Sequence, residues 1–447
     1  MSVRVRADEH SAPQPRGRAL RAGLGRLRQV LALRGRPRPR LRLLALLGFL
    51  GPGLIAANAG NDAGGIATYA SDGARYGYGL LWVMIPITVS LVVVQEMAAR
   101  MGAVTGKGLA ELIREQFGVR WSAVASVAFL LTSIGICTSD FVGTGAALGL
   151  AGVPAQVSVP LAAIAIWALV VRGSYKVAER IFLAMTIPFL AYPVAAILAH
   201  PHWGEVARQS VAPSIHLSST YILLFIATAG TTITPYMQLY LQSAVVERGI
   251  GPERLGAERA EVISGSLFAN LIAAFIIIAT GATLFLHGRH DVGTAADAAR
   301  ALKPFAGQYA ELLFGIGLLG ASLLAAAVLP VTGAYVIAEA LGYEKGLSRD
   351  PREAPVFVGA ITVIIAVSAL VAMIPGIPVI GLLVGVQIVN GALLPIVLVF
   401  IWRLARNREL LGEHRNRRGF DLLAAGTVLW TSTLSLALLV ITILQFA

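Results

Sequence analysis

The sequence has little charge and almost no cysteine. Only 13% of its 447 residues are charged and Cys137 is its single cysteine, whereas 56% of the residues are hydrophobic. A soluble domain would carry about 25% charged residues, so the composition excludes a soluble protein. A single cysteine also excludes an internal disulfide framework and a multi-cysteine metal site. What remains is a polytopic protein embedded in the lipid bilayer.

The sequence also lacks the motifs of common enzyme classes. It has no phosphate-binding loop, no metalloprotease helix and no nucleophile elbow in a fitting context. An ATP-driven pump is therefore disfavoured, and we expect neither an enzyme nor a bound cofactor. The seven histidines all fall outside the apolar stretches, so a proton relay at mid-membrane would have to use carboxylates alone.

Eleven apolar stretches are long enough to cross the hydrocarbon core, which takes about 20 residues of helix. Between the second and third stretches, apolar and charged residues recur at helical spacing over 106–117, which predicts an amphipathic helix at the membrane interface. The predicted spans are 43–70, 78–100, 120–149, 155–172, 178–199, 217–246, 260–286, 309–341, 355–374, 378–402 and 421–446.

Positive charge is concentrated at alternate ends of these spans. The formal net charge is +12, and lysine and arginine collect in the loops after every second span, which assigns those loops and the N-terminus to the cytoplasm and the C-terminus to the outside. The arginine-rich start predicts a disordered cytoplasmic tail without nucleic-acid binding. The predicted organisation is a tail over 1–41, a transporter-like core over 42–404, a basic cytoplasmic loop over 405–420 and an eleventh helix over 421–447.

Two of the spans contain residues that interrupt a helix. Gly60, Gly64 and Gly65 surround Asp62 in the first span, and the sixth span carries the run 230–235, which begins with glycine and ends with proline. Glycine and proline here break the helical ladder and free backbone carbonyls, which is tolerated at membrane depth only where the chain lines a cavity or is buried in protein. We therefore predict that the first and sixth helices are broken at mid-membrane.

The two broken spans are five apart and therefore run in opposite directions. This is the arrangement of an inverted repeat, about 42–199 and 215–404 here, whose discontinuous helices meet at the midplane. Their first halves would aim their carbonyl ends, the negative ends of the helix dipoles, at a shared point. The carboxylate of Asp62 beside two such ends predicts a cation site, and the alternative is a buried neutral acid.

Other polar residues inside the spans have two interpretations each. Asn58 and Asn61 flank the acid and could reach an ion or its waters. Gln387 and Asn390 in the tenth span either approach the same point or bond between helices. Asp140 in the third span is either an acid on the path of an ion or the partner of a cytoplasmic arginine.

Several motifs match a known family. They include Gly51-Pro52-Gly53, Tyr76-Gly77-Tyr78, Ala99-Arg100-Met101-Gly102 and Thr234-Pro235-Tyr236. On these motifs nearly the whole chain resembles the natural resistance-associated macrophage protein (NRAMP) family of divalent-metal transporters. The resemblance implies the leucine-transporter fold, an inverted repeat of five plus five helices with an eleventh added. It also implies a monomer in the plasma membrane of a bacterium, with a divalent metal ion as its substrate.

The first and third helices depart from the family's motifs. The family's Asp-Pro-Gly-Asn is Asp62-Ala63-Gly64-Gly65 here, so Gly65 takes the place of a ligand asparagine. In the third helix the family has an acid and a second acid three residues on. Here Asp140 is kept, but the second position is Gly143.

The sixth helix departs as well. Thr231 and Thr234 occupy the positions at which the family uses an alanine carbonyl and a methionine sulfur, and Tyr236 replaces a histidine. Both threonines could instead satisfy freed backbone groups. The predicted metal-binding set is Asp62, Thr231, Thr234, Gly65, Asn58, Asn61 and Gly230, with Gln387, Asn390, Asp140 and Tyr236 beside the site or on the pathway.

These departures favour a hard cation. Thioether sulfur suits softer transition metals, so its replacement by hydroxyl predicts an all-oxygen site, and the missing asparagine predicts a wider one. Such a site suits partly hydrated Mg²⁺ and also accepts Mn²⁺, and the pattern is similar to the NRAMP-related magnesium transporters. We expect alternating-access uptake without proton coupling. The alternatives are a proton-coupled Mn²⁺/Fe²⁺ importer and an amino-acid carrier on the same fold.

Overall fold

The structure, a computed structural model, describes residues 52–446 except 217, 291–294 and 375–378. The predicted tail over 1–41 and the beginning of the first span lie outside these residues. Every regular element described is helical, which confirms the all-α prediction. The α-helices are α1 (Pro52–Ala59), α2 (Ala63–Tyr76), α3 (Met84–Thr105), α4 (Leu109–Phe117), α5 (Val119–Leu150), α6 (Ala155–Arg172), α7 (Tyr175–Ala184), α8 (Ala191–Leu198), α9 (Trp203–Val211), α10 (Ser219–Thr232), α11 (Pro235–Glu247), α12 (Leu255–Thr283), α13 (Ala295–Leu341), α14 (Pro355–Ala372), α15 (Val379–Arg406), α16 (Arg408–Leu411) and α17 (Arg418–Phe446).

Ten helical segments in the described residues are long and apolar enough to cross a membrane. They correspond to the second to eleventh predicted spans. The first predicted span is present as two shorter helices, α1 and α2, separated at Gly60 to Asp62. The pattern of apolar stretches therefore predicted the architecture of the described chain correctly.

Several spans differ in detail from the prediction. Helix α2 continues to Tyr76, beyond the predicted end at residue 70. Helix α13 begins at Ala295 rather than at 309, so part of a charged segment that was assigned to a loop is helical. The fifth span is divided by a 3₁₀ turn over Ile187–Leu190, where Pro188 has no backbone N–H to continue the ladder.

The amphipathic stretch after α3 forms helix α4, as predicted. Leu109 and Leu112 on its apolar face are fully buried, and the helix packs against α5 and α13. Neighbouring helices therefore cover the face that was expected to rest on lipid.

The break in the first span follows from its residues. Helix α1 ends at Ala59, and the N–H of Asn61 turns back to the carbonyl of Asn58 at 3.0 Å. Asp62 then has an extended backbone, φ −68° and ψ 179°, and begins α2 as its N-cap. An aspartate is a favoured N-cap because its side chain accepts from a free N–H of the first turn.

The break in the sixth span uses proline instead. Helix α10 ends at Thr232, Thr234 is extended with φ −67° and ψ 141°, and Pro235 is the first residue of α11. Proline fits this first position because its missing N–H would have had no partner inside the helix. Both helices are thus broken where the sequence predicted.

Glycine lets α10 and α15 approach each other beside this break. A Cβ atom on Gly230 would lie 2.7 Å from the Cα atom of Gly391, a distance at which side chains cannot fit. Small residues at such crossings allow backbones in membrane proteins to touch. This contact brings the tenth span against the sixth at the level of its break.

A buried carboxylate joins three elements near one end of the molecule. Glu339 of α13 is 2% exposed and accepts hydrogen bonds from the N–H of Ala110 at 3.1 Å and the hydroxyl of Ser243 at 2.7 Å. The Lys345 ammonium lies 3.2 Å away. Glu339 therefore holds α4 and α11 against the end of α13.

Candidate functional site

Asp62 lies between the two breaks and is completely buried. Its Oδ1 atom accepts a hydrogen bond from the N–H of Gly65 at 2.6 Å. The Gln387 amide of α15 donates to both carboxylate oxygens, at 2.8 and 3.0 Å. A carboxylate in the membrane interior is expensive to bury and is a functional candidate by default. Gln387 of the tenth span therefore contacts the acid of the predicted cation site, which is the first of the two interpretations given for it.

Three oxygen atoms converge on the space above Gly65. A Cβ atom on this residue would lie 2.6 Å from Thr231 Oγ1, 3.0 Å from the Gly60 carbonyl oxygen and 3.3 Å from Asp62 Oδ1. The Thr231 hydroxyl itself donates to the Gly60 carbonyl at 3.3 Å. One hydroxyl, one carbonyl and one carboxylate, contributed by both broken spans, thus surround a single position.

The missing side chain at Gly65 does not simply widen this space. The hydroxyl of Thr231 lies where a side chain of residue 65 would begin. The expectation of a wider cavity is therefore wrong at this point, because two changes compensate each other: a small residue at 65 makes room for a larger one at 231. Gly65 contributes its N–H to Asp62 and has no side-chain donor of its own.

Asp140 lies directly beside the first break. Its Oδ1 accepts from the N–H of Ala63 at 3.0 Å, and its Oδ2 is buried without a hydrogen-bond partner in the described part of the chain. Within the described residues Asp140 is held by the start of α2 and pairs with no arginine. Two carboxylates, Asp62 and Asp140, therefore meet at the same helix N-terminus.

Some predicted residues are engaged elsewhere. The Asn61 side chain donates to the Ala269 carbonyl of α12 at 2.9 Å. The Asn58 side chain donates to the Leu54 carbonyl at 2.9 Å, and its buried Oδ1 has no partner within the residues that the structure describes.

The Gly230 carbonyl is also occupied. It accepts from the Asn390 amide at 3.1 Å. Asn390 therefore bonds between helices in this structure, and the carbonyl of Gly230 is engaged by protein rather than free to face an ion.

The sixth span links the breaks and contributes a sulfur that the sequence analysis overlooked. The Tyr236 hydroxyl donates to the carbonyl of Ala59 in the last turn of α1. Thr234 Oγ1 is buried and has no hydrogen-bond partner among the described residues. A Cβ atom on Gly60 would lie 2.7 Å from the sulfur of Met237. A thioether thus lies beside the first break even though Thr234 occupies the position of the family's methionine, so oxygen is not the only ligand type next to Gly60.

A second buried acid on α2 was missed entirely. Asp72 is completely buried and its Oδ2 accepts from the Thr228 hydroxyl at 2.6 Å. Sequence reasoning missed it because the apolar stretch was ended at residue 70, which placed Asp72 in a loop. The signal was nevertheless present: an acid ten residues after Asp62 with no charged residue between them.

The described residues contain no group of three or more His, Cys, Asp or Glu side chains that could hold a metal ion. Beside the first break these residues offer the carboxylates of Asp62 and Asp140, the Thr231 hydroxyl and the Gly60 carbonyl, with the Met237 sulfur next to Gly60. Oxygen ligands suit a hard, partly hydrated dication, whereas a thioether suits a softer transition metal.

Fold and site together define a class, that of polytopic membrane proteins in which two broken helices cross at a buried carboxylate. The structure is similar to the manganese transporter of Eremococcus coleocola, with a TM-score of 0.72 and 18% identity over 90% of this chain and 88% of that one. It is also similar to MhsT in complex with L-phenylalanine, with a TM-score of 0.60 and 14% identity over 87% of this chain and 97% of that one. These likenesses show the fold, which is the leucine-transporter fold.

Sequence similarity identifies the family. The chain is 33% identical over 397 residues to the divalent metal cation transporter MntH of Ralstonia nicotianae, covering 83% of this chain and 86% of that relative. The profile of the Nramp family, described as natural resistance-associated macrophage protein-like, matches residues 53–441. The chain belongs to the Nramp family.

Proposed function

We propose that this protein carries divalent metal cations across a membrane, with the ion bound at Asp62 between the two broken helices. The observation that carries the proposal is the convergence of Asp62 Oδ1, Thr231 Oγ1 and the Gly60 carbonyl on one position. These oxygens come from both broken spans, so a movement of one span against the other would make or release the site. That coupling of binding to helix movement is what alternating access requires.

The N-terminus of α2 argues against an amino-acid substrate. In carriers of this fold, a substrate carboxylate binds at the N-terminus of a half-helix. Here Asp62 accepts the Gly65 N–H and Asp140 accepts the Ala63 N–H. Two carboxylates thus occupy the positive end of this helix, where they would repel a third and attract a cation.

Mg²⁺ and Mn²⁺ are the ions that we propose, with a preference for Mg²⁺. Thr234 places a hydroxyl, rather than a sulfur, at its position in the break, and this hydroxyl has no partner in the described chain. Mg²⁺ prefers such oxygen ligands and retains part of its water. In the predicted orientation the N-terminus lies in the cytoplasm. A dication entering a negative interior gains about 4.6 kcal/mol per 100 mV, which is sufficient for accumulation without proton coupling.

Proton-coupled import of Mn²⁺ or Fe²⁺ is the second candidate. Two observations favour it: the sulfur of Met237 lies beside Gly60, and relatives in sequence and structure are named as MntH and as a manganese transporter. Soft thioether ligands favour transition metals over Mg²⁺.

Calorimetry on the purified full chain tests the site. We expect Asp62→Asn to weaken binding of both Mg²⁺ and Mn²⁺ by more than about tenfold, since losing even an outer-shell group of a metal site costs that much. Asp350→Asn, which removes an exposed carboxylate in a loop, is the control. Unchanged affinities in Asp62→Asn would remove the site.

Uptake into proteoliposomes distinguishes the two candidates. With a fixed membrane potential and a pH-sensitive dye inside, uncoupled transport predicts metal uptake with no acidification. Acidification that follows Mn²⁺ uptake would overturn the uncoupled mechanism and favour the second candidate. Competition between the two ions at equal concentration measures the proposed Mg²⁺ preference directly.

A further inference from the structure

The carboxylate of Asp72 is not part of the proposed site at Asp62, but its surroundings indicate a function of its own. We propose that Asp72 is a second cation-binding station, through which an ion passes on its way to or from Asp62. This inference rests on the proposed function, since it presupposes that a cation moves along α2.

Asp72 is buried without an adequate partner. The residue is 0% exposed, its Oδ2 accepts from the Thr228 hydroxyl at 2.6 Å, and its Oδ1 has no hydrogen-bond partner in the described part of the chain. The ion pairs found among the described residues do not include Asp72. A buried carboxylate that is left unpaired is costly, so a positive partner is expected during the working cycle.

Polar groups connect Asp72 with Asp62 along the contact between α2 and α10. Thr231 faces Gly65, the Tyr69 hydroxyl hydrogen-bonds with Thr232 at 2.8 Å, and Asp72 bonds with Thr228. On α2 the positions 65, 69 and 72 recur at helical spacing and therefore lie on one face. A seam of oxygen atoms thus runs between the two helices within a mostly apolar protein.

The separation of the two acids requires two stations rather than one. Ten residues of helix rise about 15 Å, whereas a carboxylate oxygen binds Mg²⁺ at about 2.1 Å. One ion cannot contact both Asp62 and Asp72. An ion that follows the seam would instead move between them by exchanging carboxylate and hydroxyl ligands.

The seam ends at a group of aromatic rings beyond Asp72. Tyr76 at the end of α2 packs edge-on against Tyr221 with ring centroids 5.1 Å apart, and stacks on His216 at 5.9 Å. The Tyr221 hydroxyl is held by the Ser214 carbonyl at 2.6 Å. Along α2, Asp72 therefore lies between this aromatic group and Asp62.

The test compares Asp72→Asn with wild type in proteoliposomes, with Mn²⁺ as the probe. Asparagine retains the size of the side chain and an oxygen that can accept from Thr228. We expect the KM for Mn²⁺ uptake to rise at least about tenfold, the lower end of what losing a group around a metal costs, while calorimetric Mn²⁺ binding at Asp62 is retained. Ser71→Ala is the control, because Ser71 Oγ only returns to the Ala67 carbonyl and its loss should leave KM unchanged.

Each outcome has a distinct meaning. A KM for Asp72→Asn within twofold of wild type, with Asp62→Asn inactive, would overturn the second station and leave the proposed function standing. Normal uptake by Asp62→Asn would overturn the proposed function instead. If wild-type uptake acidifies the lumen after all, an unchanged KM in Asp72→Asn together with loss of that acidification would also overturn the second station, because Asp72 would then carry a proton rather than a metal ion.

A second variant keeps the test decisive if Asp72→Asn does not fold. Thr228→Val retains the shape of the side chain but removes the hydroxyl that positions Asp72. We expect a smaller rise in KM in this variant with unchanged binding at Asp62. No change in KM with a folded Thr228→Val protein would then contradict the proposal.

Discussion

The packing of Gly65 against Thr231 gives a prediction that can be worked out from the structure. A Cβ atom at position 65 would lie 2.6 Å from Thr231 Oγ1, closer than any ordinary contact, and 3.0 Å from the Gly60 carbonyl oxygen. Overpacking of this kind costs about 1–3 kcal/mol. Alanine is favoured over glycine within a helix by about 0.5–1 kcal/mol. Gly65→Ala should therefore destabilise the protein by up to about 2.5 kcal/mol.

The second half of this prediction is that Thr231→Ala restores part of the stability lost in Gly65→Ala. Because the nearest atom is the Thr231 hydroxyl, Thr231→Ala should relieve most of the clash, and the double variant should be more stable than Gly65→Ala alone. Contacting residues show coupling energies of about 0.5–3 kcal/mol in such cycles. Mn²⁺ affinity should fall in Gly65→Ala and stay low in the double variant, since the added methyl group still fills the position on which the oxygens converge.

Thermal unfolding of the purified protein, monitored by size-exclusion chromatography, measures stability. Calorimetry measures the affinity for Mn²⁺. Gly359→Ala is the control, because this helical glycine has no atom within 4 Å of an added Cβ and should lose neither stability nor affinity. Additive effects of Gly65→Ala and Thr231→Ala on stability would refute the reasoning, since they would mean that the two residues do not share one space.

Three further variants probe the surroundings. Asn390→Ala should lower thermal stability by about 1–3 kcal/mol, because the buried carbonyl of Gly230 loses its donor, with little change in Mn²⁺ affinity; wild-type stability would contradict this. Tyr236→Phe removes a bond between the two breaks and should change the turnover rate more than Mn²⁺ affinity, whereas equal losses would speak against a role in movement. Arg100→Ala removes the 3.0 Å partner of the buried Glu96, while the partly exposed Arg259 still contacts Glu96 at 2.7 Å, so the loss of stability should stay below the about 3–5 kcal/mol that an uncompensated buried charge costs; adding Glu96→Gln should recover part of this loss in thermal unfolding, and no recovery would mean that the pair is not the cause.

The breaks could be predicted because their causes are local. Gly60 and Pro235 disturb a helix whatever surrounds them, and a charged Asp62 within an apolar stretch needs no neighbour to be noticed. The spans were equally readable, because an apolar stretch of sufficient length has few alternatives to a membrane helix.

The composition of the site could not be predicted in the same way. The fit between Gly65 and Thr231, and the approach of Met237 to Gly60, join residues that are far apart in the sequence and depend on how two spans cross. Asp72 was missed for a different reason. Polar residues lower the local hydropathy at the end of α2, so a helix that continues to Tyr76 was read as a shorter one.

The carboxylate of Glu339 also bears on how fast the protein can work. It collects a backbone N–H of α4, a hydroxyl of α11 and the ammonium of Lys345, and α11 is the second half of the broken sixth helix. Swinging α11 away from α13 would strip the Ser243 hydroxyl from a desolvated anion, so this hydrogen bond behaves as a latch on that half-helix. Evolution could thus adjust the turnover rate by altering the latch while leaving the ion's own ligands untouched.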